Sequence, residues 1–190
     1  LNCKAEYDDF LGLSDISLKD YQLIVFTGIS GSGKTAAMQY LLSRFARIAD
    51  AGMQWLAGEE LVKGMQLNAH WLLIDELVCY SQLWHVRRLL QRGHQLMVAS
   101  HLNEPAFRLA MAGYQGLYLR TDGPSEKLSR HLQRRGIEYD ELSLDGFIHR
   151  YGQSYQSLDV VLDYSGNRNM VLAMQHFDRH CRLTLQRQRR

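Results

Sequence analysis

The chain alternates short, fully apolar runs with longer stretches whose apolar residues recur every three or four positions. "YQLIVFT" (21–27), "WLLIDEL" (71–77) and "HQLMVAS" (94–100) show no two-residue alternation, the pattern of strands covered on both faces. "MQWLA" (53–57) and "GLYLRT" (116–121) are shorter runs of the same kind. Helical spacing fills the gaps. It is clear in "KTAAMQYLLSRFARIA" (34–49) and suggested over "GEELVKGMQ" (58–66). "SQLWHVRRLLQRG" (81–93) sets Leu83, Val86, Leu89 and Leu90 on one side and closes at Gly93. "EPAFRLAMAG" (104–113) carries Pro105 in its first turn. Five strands alternating with helices predict an α/β fold with a mainly parallel five-stranded sheet, covered on both faces in three α/β/α layers.

The pattern changes after Gly123-Pro124. "SEKLSRHLQRRG" (125–136) reads as a helix and "IEYDELS" (137–143) as a short strand. The remainder reads as two or three helices broken near Gly152 and Gly166. This predicts a core over residues 1–123 and a mostly helical, lid-like C-terminal appendage over residues 124–190.

Composition narrows the setting. No apolar run approaches the roughly 18 residues of a membrane span. "LNCKAEYDDF" lacks the pattern of a signal peptide. Cys3, Cys79 and Cys181 are scattered, with no CxxC pair, so a reducing compartment is expected and the location is read as cytoplasmic. The net charge of +2 hides an asymmetry. Residues 1–126 hold 11 basic and 13 acidic side chains, residues 127–190 hold 11 and 7. The last twelve residues, "RHCRLTLQRQRR", contain five arginines and no acid. Such a tail is a solvated helix end, or a contact for nucleic acid or an acidic protein.

Candidate chemistry starts at "GISGSGKT", residues 28–35. Three glycines in six residues sacrifice backbone order, and Lys34 and Thr35 follow at once. The run fits G-x-x-x-x-G-K-[ST] and sits between a buried strand and a helix, the context this phosphate-binding loop requires. Backbone N–H groups of Gly28, Ile29, Ser30, Gly31, Ser32, Gly33, Lys34, Thr35 and Ala36 are expected to wrap anionic oxygens at a helix N-terminus. Lys34 is expected to reach the β- and γ-phosphates, and Thr35 to offer its hydroxyl to Mg²⁺. A second acid is then needed on a neighbouring strand. "LLIDE" supplies Asp75, 41 residues after Lys34, for the metal, and Glu76 as the base that activates a water. The strand "QLMVAS" ends at Ser100-His101, either of which could sense the γ-phosphate. His176 and His180 stand four residues apart on a helical pattern beside Cys181, and no further metal ligand accompanies them.

These residues resemble P-loop NTPases of the division that carries a catalytic acid after the metal aspartate and an extra strand between the P-loop strand and the metal strand. Within it, residues 7–123 look most like ABC-type ATPase cores. "LSDISLKDYQLIVFTGISGSGKT" resembles their lead-in and P-loop, "WLLIDEL" their metal strand, and "VASHLNEPAFRLA" their switch-histidine segment. By that resemblance Tyr7 matches an adenine-stacking aromatic. Leu77 stands where that family has proline, and no LSGGQ-type signature occurs. AAA+ ATPases are the second resemblance, with residues 124–190 as their helical lid and Arg108, Arg120, Arg134 or Arg135 acting across a subunit interface. Thymidine-kinase-like enzymes share the short P-loop-to-"IDE" spacing but carry a cysteine cluster that is missing here. The resemblance implies Mg²⁺-dependent ATP binding and hydrolysis that drives a conformational change in a partner or assembly, with a small-molecule or nucleoside kinase as the alternative. ATP is preferred to GTP because no N/T-K-x-D motif is present. A homo-oligomer is a further expectation.

Overall fold

The computed structural model describes residues 9, 11–17, 20–44, 53–62, 69–122 and 126–188, with side chains throughout except at 53, 62 and 182–188. The chain divides into two compact units, Leu1–Ile29 with Gly33–Asp122, and Ser30–Ser32 with Gly123–Arg190.

The first unit is built on strands β1 (Leu23–Thr27), β2 (Met53–Ala57), β3 (Trp71–Leu77), β4 (Gln95–Ser100) and β5 (Gly116–Arg120). They form one sheet in the order β2-β3-β4-β1-β5, and every pairing is parallel. β4 lies between the loop-bearing strand β1 and the acid-bearing strand β3, the extra strand expected from the sequence. Helices α1 (Lys34–Arg44), α2 (Tyr80–Gln91) and α3 (Glu104–Ala110) cross between the strands. Residues 58–66, read as a short helix, form a 3₁₀ turn over Gly58–Val62, and the rest lies outside the described residues.

Two apolar layers explain the continuous hydrophobic runs. Leu23, Val25, Leu72, Ile74, Leu96 and Val98 pack on one face against Leu83, Val86, Leu89 and Leu90 of α2 and Phe107 of α3. Ile24, Phe26, Leu73, Met97 and Ala99 pack on the other against Ala37, Met38, Tyr40 and Leu41 of α1. Successive strand residues point to opposite faces, so a strand covered twice has no polar alternate. All five residues of β1 are buried. Burying each large apolar side chain contributes about 1.5–3 kcal/mol before conformational entropy is subtracted.

The second unit carries α4 (Glu126–Arg134), α5 (Glu141–Tyr151), α6 (Tyr155–Ser165) and α7 (Met170–Gln188). Leu128, Leu132, Leu144, Phe147, Leu158, Val161, Leu162, Met170 and Ala173 form its core. The helices break at Gly152 and Gly166, both with positive φ, as the sequence suggested. "IEYDELS" is not a strand. Only Glu138 makes a bridge, to Asn169, and α5 begins at Glu141. Asp140 overrides the β-rich pattern because its carboxylate accepts the Ser143 N–H at 2.7 Å, while the Asp140 N–H donates to Ser143 Oγ at 3.1 Å. Ser30–Ser32 are held within this unit by the Tyr155 N–H, which donates to the Gly31 carbonyl at 2.9 Å, and by Lys127 Nζ, which donates to the Ser32 carbonyl at 3.2 Å. Arg135 grips Asp159 and Asp163 of α6, and His131 Nε2 meets Asp159 at 2.8 Å. No helix among the described residues is long and apolar enough to cross a membrane.

Candidate functional site

The tips of β1, β3, β4 and β5 meet at one end of the sheet. β1 stops at Thr27 and α1 starts at Lys34, leaving residues 28–33 as the intervening loop. Gly28, Gly31 and Gly33 have φ of 148°, 70° and 96°, a region that disfavours any residue with a Cβ. This accounts for the glycine spacing.

Lys34 is buried and folds back over its own loop. Its Nζ donates to the carbonyls of Gly28 and Ile29, each at 2.8 Å. Burial lowers the pKa of the ammonium, and the carboxylates of Asp122 and Asp75 oppose that shift. Thr35 Oγ1 donates to Asp75, at 3.0 Å to Oδ2 and 3.2 Å to Oδ1. Lys34, Thr35 and Asp75 are thus brought together although 40 residues separate Thr35 from Asp75. Ala36 follows in the first turn of α1, and Ile29 is 44% exposed at the loop. Ser30, Gly31 and Ser32 group with the helical unit described above.

Asp75 and Glu76 sit on a bulge. From Ile74 to Leu77 β3 takes three steps while β4 takes two, from Val98 to Ser100. The extra residue leaves Glu76 at φ 55°, the one non-glycine with positive φ among the described residues. Its N–H donates to Asp75 Oδ1 at 2.9 Å, and its side chain is exposed. The bulge is packed from behind by Gly58, where an added Cβ would lie 2.6 Å from the Glu76 carbonyl oxygen and 3.1 Å from Gln82 Nε2. Gln82 is itself committed, since its Oε1 accepts the N–H groups of Val78 and Cys79. Gly58→Ala is therefore expected to lose about 1–3 kcal/mol of unfolding free energy by overpacking. Urea denaturation checks this, and a variant as stable as the wild type would mean that the bulge is not held by this contact.

Of the pair at the β4 tip, Ser100 is fully buried and its hydroxyl is occupied: it donates to the Leu77 carbonyl at 2.8 Å and accepts the Leu102 N–H at 3.0 Å. It ties the end of β4 to the end of β3. His101 is exposed, and its N–H donates to the same Leu77 carbonyl at 3.0 Å. Desolvation and then the Lys34 ammonium lower the His101 pKa, against opposing pulls from Glu76 and Asp75. Its ring is therefore neutral at pH 7 and able to accept or donate one hydrogen bond.

A cleft of about 580 Å³ opens here, walled by Thr27 at the β1 tip, Gly28 and Ile29 of the loop, residues 101–105, and Arg120 and Asp122 at the end of β5. Asp122 was not singled out from the sequence. Its signal is register: Thr121 donates both its N–H (2.9 Å) and its hydroxyl (3.1 Å) to the Thr27 carbonyl, which fixes the residue that follows.

Other candidates lie elsewhere. Arg108 pairs with Glu104 at 2.7 Å and lies over the Tyr118 ring. Arg134 is exposed on α4, and Arg135 is engaged by Asp159 and Asp163. His176 and His180 stack on the Tyr164 ring with centroids 5.5 and 4.6 Å away. Tyr7 lies outside the described residues, as do the side chains of the basic tail beyond Cys181.

No protein-family profile matches the chain, and no curated protein matches it. Solved structures do. AMPPCP-bound DnaA from Aquifex aeolicus superposes with a TM-score of 0.58 at 15% identity, over 87% of this chain and 62% of that one. A crystal structure of a DNA replication initiation factor gives 0.55 at 13% identity, over 87% and 61%. Domain III of the Thermotoga maritima replication initiation protein DnaA gives 0.53 at 15% identity, over 88% of each chain. The chain therefore spans about three fifths of the length of the first two. The first of the two resemblances, to the ABC type, is not confirmed by these three structures. The chain shares the α/β fold of these structures, a mainly parallel five-stranded sheet with helices.

Proposed function

We propose that the chain binds Mg-ATP at residues 28–36 and hydrolyses its terminal phosphate, as an AAA+-type ATPase with a nucleotide-binding core over residues 1–123 and a lid-like appendage over residues 124–190. The observation that carries this reading is the Thr35 hydroxyl against the Asp75 carboxylate at 3.0 Å, next to a lysine folded over a glycine loop. The AMPPCP bound to the Aquifex neighbour supports the same ligand class.

The donor set suits the cofactor. Mg²⁺ takes hard oxygen ligands, and Thr35 and Asp75 offer a hydroxyl and a carboxylate already in contact. When bound, the ion would neutralise charge on the phosphate oxygens. The chain's own groups do the rest. Lys34 leaves the Gly28 and Ile29 carbonyls for phosphate oxygens, a stronger, charge-assisted partner. Glu76 takes a proton from a water as its oxygen attacks the γ-phosphorus and the bond to the β,γ-bridging oxygen breaks. Neutral His101 donates a hydrogen bond to the transferred group.

Release of that energy into a partner or a homo-oligomer, in the cytoplasm, completes the proposal. The replication-initiation neighbours favour a nucleic-acid-associated role, with the basic tail as one contact. Calorimetric titration with Mg-ATP followed by product analysis tests the reading. Micromolar binding and free phosphate are expected. A phosphorylated acceptor in place of free phosphate would instead make the chain a kinase, and absence of nucleotide binding would end the proposal.

A further inference from the structure

The β5 tip carries a cation that the proposed chemistry has not used. Arg120 is the last residue of β5, and its Cα pairs in register with Thr27, which pairs in turn with Ser100. Three adjacent strand ends thus lie in a row under the cleft, with Arg120 on the outer side and His101 following on the inner side. Thr121, fully buried and bonded twice to the Thr27 carbonyl, locks the chain beyond β5 to the residue that precedes the loop. This fixes Asp122 on the cleft wall, where its carboxylate accepts Arg120 Nε at 3.2 Å. Asp122 also acts on the Lys34 ammonium from the side opposite to β3 in the strand order. Lys34 therefore has an acid on each flank: Asp75 binds the Thr35 hydroxyl, and Asp122 binds Arg120.

The Arg120 pair is a weak anchor. Its arginine side chain is 66% exposed, and exposed pairs contribute little to stability. The bond uses Nε, and among the described residues Arg120 makes no other polar contact. Arg120 lines the cleft, and its terminal guanidinium nitrogens, not used in that bond, form a fork whose spacing matches two oxygens of a phosphate. Its position beside this chain's own loop sets it apart from an arginine supplied by a neighbouring subunit.

We infer that Arg120 binds the terminal phosphate of a nucleotide held on the same chain's loop, and that Asp122 is the positioning residue that keeps it at the cleft until that phosphate arrives. The inference rests on the proposed nucleotide site and adds a specificity to it: the chain distinguishes a nucleoside triphosphate from a diphosphate through Arg120.

The test is a calorimetric comparison of ATP and ADP, each with Mg²⁺, on the full chain. Arg120→Ala is expected to weaken ATP about tenfold or more and to leave ADP within about twofold. Arg120→Lys should recover part of the ATP affinity, because it restores the charge without the fork. Arg120→Gln, which keeps the length of the side chain, should match the alanine variant and serves if that variant folds poorly. Equal losses for ATP and ADP, or unchanged ATP affinity, would overturn the inference while the P-loop reading stands. A wild-type chain that binds neither nucleotide would remove both.

Discussion

Glu76→Gln is expected to bind Mg-ATP as the wild type does and to release phosphate about 10²- to 10⁴-fold more slowly. The geometry of the bulge makes this a clean substitution. Glu76 is held through its backbone, by its N–H on Asp75 Oδ1 and its carbonyl against Gly58, while its side chain is exposed. Glutamine keeps the volume and both backbone anchors and loses only the basic oxygen. Asp75, which holds Thr35, is untouched. Phosphate release under saturating ATP reads the rate, and calorimetry reads the binding. A variant that hydrolyses ATP at near-wild-type rate would exclude Glu76 as the base.

Lys34→Ala is expected to lower Mg-ATP affinity tenfold or more, at least about 1.4 kcal/mol. Two losses act together. The charge-assisted contact to the terminal phosphates disappears. The Gly28 and Ile29 carbonyls also lose the partner that draws them together, so the loop no longer keeps its shape before the ligand arrives. Burial already disfavours this ammonium, so removing it relieves a desolvation cost, and the damage should fall on binding more than on folding. Titration calorimetry beside a thermal melt separates the two. Unchanged ATP affinity would sink the assignment of this loop to phosphate.

Much of this framework was legible in the residue order because its causes are local. β1, β3 and β4 lie between two apolar layers, so each had to be a continuous hydrophobic run. The glycines at 28, 31 and 33 answer to backbone torsions, which glycine alone tolerates easily. The features that stayed hidden depend on register between distant segments. Nothing near Glu76 announces that β3 takes one residue more than β4. Asp122 reaches the cleft because Thr121 bonds Thr27, 94 residues earlier. Ser100 and His101 look equivalent as letters, yet the Leu77 carbonyl, 23 residues upstream, takes the Ser100 hydroxyl. "IEYDELS" misled for the opposite reason: one local cap, Asp140 with Ser143, outweighs the strand preference of Ile137 and Tyr139.

The strand order also governs when the site can form. β1 is made before its two partners, β4 and β5, at residues 95–100 and 116–120. Until those arrive, Leu23–Thr27 has no sheet to join, and the loop after it has no anchored base. At roughly 5–20 residues per second, the wait from the end of β1 to the end of β5 lasts on the order of 5–20 s. β2 and β3 can pair well before that, since only a 13-residue stretch, 58–70, separates them. The phosphate loop is therefore made well before the strands that anchor its base. Through that interval an apolar strand waits unpaired, with sequence-distant contacts still to be closed.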